Sequence, residues 1–241
     1  MPKSTTPLPD WELVLSAASR LQTILPEAVL VGGTAAAIHA DHRFSRDADH
    51  VLTDLREQFD EILGQLESVA GWKTARVRRP VLILGSLDGI ETGIRQLIRQ
   101  EPLETTEVDF LGGKITIPTE GEILRIKAAL ILKRNATRDY LDFVALADRM
   151  GDASAVHALS VMDRLYPQDN GESAVQQLQV QLAKALPYDL EDTELQEYKN
   201  LDPRWHDWTA VSDFCTRLSA TIFDRLLEAY ERPADSIDDG P

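Results

Sequence analysis

Two aspartates one residue apart, Asp47 and Asp49, follow a Gly32–Gly33–Thr34 turn and a short Ala-rich segment. On an extended strand, residues i and i+2 project from the same face, so the two carboxylates stand side by side. Each raises the other's pKa unless a cation sits between them, and Mg²⁺, a hard ion that takes oxygen ligands, fits. The glycine turn comes after the apolar run AVLV at 28–31. Glycine there lets the backbone approach a ligand, and the N-terminus of the helix that follows presents N–H groups suited to phosphate. Thr34 adds a hydroxyl that can cap that helix or touch the phosphate. Each feature also has a plainer reading, a polar strand edge or an ordinary strand–turn–helix.

A third carboxylate, Asp109, lies between Val108 and Phe110 in TEVDFL, opposite in direction to two apolar neighbours, with Glu107 on its own face as a reserve. Two metals held by three carboxylates activate a hydroxyl nucleophile and stabilise a leaving pyrophosphate. Further along, Lys127, Arg134 and Arg138 share a helical stripe and together would counter a triphosphate. As a solvated face the same stretch offers Arg138 and Asp142 as an i,i+4 pair, or Thr137 as the cap of a new helix with Asp139 in its first turn. Arg76, Arg78 and Arg79 form a small basic cluster, read either as a solvated loop or as an RNA contact. His39, His42 and His50 lack a companion cysteine cluster and suit helix-surface or supporting roles better than a metal site. Trp205 and Trp208 read as core anchors.

The elements that must position these groups fall into two halves. Helical spacing covers 10–24, 34–41 and 54–67, and strands are expected at 28–31, 48–52, 72–77, 81–87, 106–111 and 114–117. Beyond Pro118 the pattern is helical throughout, at 120–134, 137–149, 153–166, 171–186 and 208–231, with an irregular polar stretch at 187–207 and a frayed tail from 232. The domain reading is an α/β core over 1–118 and a helical region over 119–241, an α+β chain.

Charge separates the same halves. The net charge of −15 divides into −6 over residues 1–70, +3 over 71–140 and −12 over 141–241. So acidic a chain is not held on nucleic acid by a general attraction for phosphate; any such contact belongs to the middle third. No apolar run approaches the roughly 20 residues that span a bilayer, and the single cysteine, Cys215, points to a reducing, cytoplasmic setting.

The stretch GGTAAAIHADHRFSRDADHV resembles the signature of the AbiEii-type nucleotidyltransferases of the DNA polymerase β superfamily: Gly-Gly-Thr, a helix, then His-Arg-x-Ser-x-Asp-x-Asp. Here these are Gly32, Gly33, Thr34, His42, Arg43, Ser45, Asp47 and Asp49. A second block, ILRIKAALILKRNATRDYLDFVAL, is similar to the family's lysine, arginine and Arg-Asp-x-x-Asp, supplied by Lys127, Arg134, Arg138, Asp139 and Asp142. The resemblance spans residues 28 to about 150. It departs at His50, where the family has an aromatic or apolar residue, and at Asp109, which sits in no sharp motif.

The resemblance implies a polymerase-β-like core, a mixed sheet flanked by helices, with a helical C-terminal region completing a cleft. It implies transfer of a nucleoside monophosphate from an NTP to an acceptor with a two-metal Mg²⁺ site on Asp47, Asp49 and Asp109. Gly32, Gly33 and Thr34 would hold the triphosphate with help from Arg43, Ser45, Arg134 and Arg138. Lys127 and Asp139 would act in the active site, and Asp142 would support them. It further implies a toxin of a toxin–antitoxin or phage-defence pair, with the tRNA 3′ end as acceptor and a cognate antitoxin as partner. The rival readings are transfer to a small hydroxyl compound, for which a cationic aminoglycoside suits the acidic last third, and a non-catalytic nucleotide- or partner-binding regulator.

Overall fold

A computed structural model describes residues 10–231. The expected frayed tail at 232–241 lies outside the described residues, as does 1–9. The chain divides into two compact units, one of residues 1–124 with 196–203, the other of 125–195 with 204–241. The division therefore falls six residues past the expected boundary at 118, and a short stretch of the irregular segment returns to the first unit.

The first unit starts with α1 (Trp11–Ile24), β1 (Val29–Leu30), α2 (Gly32–Ala40) and β2 (Asp47–Leu52). It continues through α3 (Phe59–Glu67), β3 (Trp72–Arg78), β4 (Leu82–Leu87), β5 (Ile90–Gln96), β6 (Thr105–Phe110) and β7 (Gly113–Pro118). Five strands form a mixed sheet in the order β1-β2-β5-β4-β3, with β2 parallel to β5 and the other pairs antiparallel. β6 and β7 form a separate two-stranded antiparallel sheet.

Alternation along β2 puts Ala48, His50 and Leu52 on the buried face and Asp47, Asp49 and Val51 on the other. The buried face closes a core of Leu21 from α1, Leu25 just after it, Phe59, Ile62 and Leu66 from α3, and Ile83, Leu87 and Ile94 from the sheet. Gln22 of α1 exchanges two hydrogen bonds of 2.8 Å with the backbone of Thr116, which ties that helix to β7.

The chief departure from expectation is β5. The spacing of IETGIRQ does not predict a strand, yet the segment lies at the centre of the sheet. Its burial runs through Thr92, Gly93 and Ile94 in succession, which removes the alternation by which a half-buried strand is recognised. At the N-terminal end of α3, residues 54–58 are turns rather than helix.

The second unit is helical. α4 (Glu120–Arg134) enters it from the first unit and is followed by α5 (Thr137–Met150), α6 (Asp152–Leu159), α7 (Met162–Leu165), α8 (Ala174–Ala183) and α9 (Trp208–Glu231). The single helix expected over 153–166 is broken into α6 and α7, and that over 171–186 shortens to α8, where the Ser173 hydroxyl accepts from Gln176 N–H as a cap. Trp205 is buried and meets Phe214 edge-on at 5.8 Å; Trp208 meets Tyr140 in the same way at 5.7 Å. Both are packing anchors within this unit.

Candidate active site

Asp49 sits between two glycines. Gly32, at φ +75°, opens α2, and a Cβ built on it would lie 3.7 Å from the Asp49 Cβ. On the other side, a Cβ on Gly93 of β5 would come within 2.4 Å of Asp49 Oδ1, so no side chain fits there without displacing the carboxylate. Val31 N–H donates to the Asp49 carbonyl at 2.8 Å. The glycine turn, the start of α2 and the second aspartate are therefore one local structure, with the first N–H groups of the helix beside a carboxylate.

The other signature residues brace this structure from beneath. Arg43 and Ser45 are buried, and a Cβ on Gly33 would collide with the Arg43 guanidinium at 2.5 Å and crowd Ser45 Oγ at 3.0 Å. Arg43 also lies over the Tyr198 ring, 5.6 Å from its centroid. The Ser45 hydroxyl donates to Asp47 Oδ1 at 2.8 Å and fixes the orientation of that carboxylate. The hydroxyl of Thr34, itself fully buried, donates to the Asp47 carbonyl. Arg43, Ser45 and Thr34 thus hold the turn and β2 in register.

His50, the departure from the family pattern, points to the opposite face and is fully buried. Its Nδ1 donates to the Ala48 carbonyl at 2.9 Å, and burial lowers its pKa to about 4 despite that bond. A neutral imidazole packed this way fills an apolar position.

Asp109 is not part of this arrangement. It is exposed on β6, opposite Lys114, and Glu107 on the same strand pairs with Lys114 at 2.6 Å. The Lys114 pKa is raised, first by the hydrogen bond to Glu107 and then by the charges of Glu107 and Asp109. Alternation gives the side of the strand correctly, but β6 pairs with β7 outside the five-stranded sheet, so its polar face is a solvated one. Among the described residues no three His, Cys, Asp or Glu side chains gather to hold a metal. The donor set fits one divalent cation on Asp47 and Asp49, with phosphate oxygens completing it; it does not fit three carboxylates around two metals.

The residues that share the site's face escape a reading of the sequence. In the parallel pairing, Asp47 lies opposite Glu91, Asp49 opposite Gly93 and Val51 opposite Arg95. Arg95 Nη2 is 3.7 Å from Asp49 Oδ2. A signal is nevertheless present: Asp88-Gly89 between 81–87 and 90–96 is a two-residue hairpin sequence, and both residues adopt positive φ.

The second block, inside the helical unit, is a closed cluster. Lys127 is almost wholly buried, with Nζ 2.6 Å from Asp142 Oδ2 and 3.7 Å from Asp139 Oδ1. Arg134 forks onto Asp139 at 2.5 and 2.7 Å. The expected stripe of Lys127, Arg134 and Arg138 does not form. Asn135 takes φ +48° and Ala136 is extended, so α4 stops and Arg138 lies exposed on α5. The cap expected from Thr137 comes instead from Asp189, whose Oδ1 accepts both the N–H and the hydroxyl of Thr137 at 2.7 Å. Of the basic cluster, Arg76 and Arg78 are exposed on β3, and Arg79 pairs with Asp60 over the ring of Phe59.

A candidate nucleotidyltransferase from H. pylori aligns over 92% of this chain and 99% of its own, at TM-score 0.53 and 16% identity. The antibiotic-resistance factor ANT(2'')-Ia and a nucleotidyltransferase-like protein from Paracoccidioides brasiliensis align at TM-score 0.46, over 63% and 66% of this chain, 93% and 90% of their own, at 10% and 17% identity. The chain has the nucleotidyltransferase fold, a mixed sheet flanked by helices. No family model matches the sequence. Two curated relatives carry another description. The heme uptake protein MmpL11 of Mycobacterium tuberculosis is 42% identical over 97 residues, 39% of this chain and 10% of that protein. The mycolic acid-containing lipids exporter MmpL11 of Mycolicibacterium smegmatis is 26% identical over 218 residues, 89% of this chain and 22% of that protein. The chain thus spans about a tenth to a fifth of the length of these relatives. Among the described residues no helix is long and apolar enough to cross a membrane.

Proposed function

We propose that the chain is a nucleotidyltransferase that moves a nucleoside monophosphate from an NTP to an acceptor hydroxyl. The observation that carries this reading is the placement of Asp49 between Gly32, at the start of α2, and Gly93, with Asp47 on the same strand face. Gly32 and Gly33 bring backbone N–H groups to the triphosphate. Asp47, oriented by Ser45, and Asp49 would hold Mg²⁺, which would supply polarisation of the phosphoryl oxygens. The acceptor oxygen bonds to the α-phosphorus, the bond from that phosphorus to the α–β bridging oxygen breaks, and pyrophosphate leaves. Glu91, exposed opposite Asp47, takes the acceptor's proton.

Lys127 holds Asp142 and Asp139 together and acts by positioning α4 and α5. Asp139 holds Arg134 through two hydrogen bonds, so this block serves as support for its own helices. The acceptor is the tRNA 3′ end, approached by Arg76 and Arg78 on β3, and the protein is a cytoplasmic toxin paired with an antitoxin. The net −12 over residues 141–241 supports a second reading, transfer to a small cationic hydroxyl compound.

The test is incubation with Mg²⁺, each labelled NTP and total cellular RNA, beside an Asp47→Ala/Asp49→Ala control. Label on tRNA from the wild type alone is expected. No label on RNA, with label on a small hydroxyl compound such as an aminoglycoside, selects the second reading. Absence of transfer to either, with NTP still bound, refutes the enzyme and leaves the binding regulator.

A further inference from the structure

The sequence predicts a site of three carboxylates and two metal ions, with Asp109 as the third; the structure leaves Asp109 on a separate sheet and puts a guanidinium beside Asp49. β2 and β5 run parallel with Asp47, Asp49 and Val51 opposite Glu91, Gly93 and Arg95, so all six share one face of the sheet. At position 93, directly across from Asp49, a Cβ would lie 2.4 Å from Asp49 Oδ1, so any side chain there would make that carboxylate turn away. The next position on that face is Arg95, whose Nη2 is 3.7 Å from Asp49 Oδ2 and whose side chain is 47% exposed. So open an ion pair is held loosely, which leaves the guanidinium able to turn its N–H fork onto a phosphate.

Charge points the same way. Before nucleotide binds, Asp47, Asp49 and Glu91 with Arg95 carry a formal −2, which one divalent cation balances. A second dication would stand beside the Arg95 guanidinium, without a third clustered ligand among the described residues.

We propose that Arg95 replaces the second metal ion: the site takes one divalent cation on Asp47 and Asp49, and the Arg95 guanidinium supplies the other positive charge to the phosphates. The inference rests on the nucleotidyltransferase reading. During transfer, negative charge grows on the bridging oxygen of the departing pyrophosphate and on the α-phosphoryl oxygens. An arginine donor aimed at such oxygens stabilises them much as a second cation does. Arg95 then has two partners in turn, Asp49 when the nucleotide is absent and phosphate when it is bound.

The experiment counts Mn²⁺ by electron paramagnetic resonance on the full chain with a non-hydrolysable NTP analogue, in wild type, Arg95→Ala, Arg95→Lys and Asp49→Asn. One Mn²⁺ per wild-type chain is expected. Arg95→Ala should bind Mn²⁺ without nucleotide about tenfold more tightly, because a like charge beside Asp49 is gone. It should lose transfer by about 10³-fold, with partial rescue in Arg95→Lys. Two Mn²⁺ per wild-type chain, or wild-type transfer by Arg95→Ala, overturns the inference and leaves the enzyme reading standing. Neither Mn²⁺ nor nucleotide on the wild type, with Asp49→Asn indistinguishable from it, overturns both.

Discussion

Two charged clusters, one in each unit of the chain, are built on opposite principles. On β2 and β5, carboxylates crowd one open face of a sheet: Asp47 and Asp49 are part-exposed and Glu91 is exposed, with Arg95 near at 3.7 Å. In the helical unit, Lys127, Asp139 and Asp142 are fully desolvated, and Arg134 closes the group with two short hydrogen bonds. The four formal charges there cancel. The sheet cluster keeps an excess of negative charge that a bound cation would relieve; the charges of the helical cluster neutralise one another. Buried charges must be paired to be tolerated at all, whereas surface carboxylates can stay uncompensated at little cost in water. Residues that look alike in a motif are therefore open to a ligand in one unit and closed on one another in the other.

That contrast is most easily broken at Asp49. Asp49→Asn should reduce transfer by about 10³-fold or more, roughly 4 kcal/mol of transition-state stabilisation, while leaving the melting temperature unchanged or higher because a like-charge neighbour is neutralised. A calorimetric scan beside a transfer assay checks both halves. A large fall in melting temperature would mean the sheet cluster is structural too.

Lys127→Ala should do the reverse, costing about 3–5 kcal/mol of stability by leaving Asp142 and Asp139 buried without their ammonium. Lys127→Met combined with Asp142→Leu should recover most of the loss in urea unfolding. If Lys127→Ala keeps its stability and loses transfer alone, the lysine belongs with the ligand-binding groups.

The behaviour of His50 sharpens the comparison in acid. Its folded pKa of about 4 lies below the ordinary value of 6.5, so the unfolded chain takes up the proton first as pH falls. The stability associated with its neutral form is whole above about pH 6.5 and is lost down to about pH 4, to the extent of about 3 kcal/mol. His50→Leu should flatten that part of the pH–stability curve, and an unchanged slope would show that His50 does not carry it. The smallest effect is expected at Ser45, where Ser45→Ala removes one hydrogen bond to Asp47 and should weaken cation binding by about fivefold, near 1 kcal/mol, without altering the fold. Mn²⁺ titration measures it.

Much of the site is legible in the order of residues. Alternation along DADHVL places both aspartates on one face, and the Gly-Gly turn marks a tight spot in the backbone, where Gly33 is crowded by the chain's own Arg43 and Ser45. Asp109 shows the limit. Its alternation is as good as that of Asp49, but periodicity says only which side of a strand a residue faces, not which sheet the strand joins. Lys127 shows another, since an amphipathic helix reads the same whether its lysine meets solvent or a buried carboxylate.

The amino-acid sequence by itself therefore determined the local facts: where α1, α4, α5 and α9 form, which β2 side chains point together, and where a glycine is needed. Those follow from steric and hydrogen-bonding rules that act over a few residues. Only the tertiary structure decided the neighbours: that 91–95 lies beside 47–51, that Gly93 and Arg95 rather than Asp109 stand next to Asp49, and that Lys127 is sealed on Asp142. Such pairings join distant segments, and they are chosen by which apolar faces can be buried together while every buried charge finds its partner.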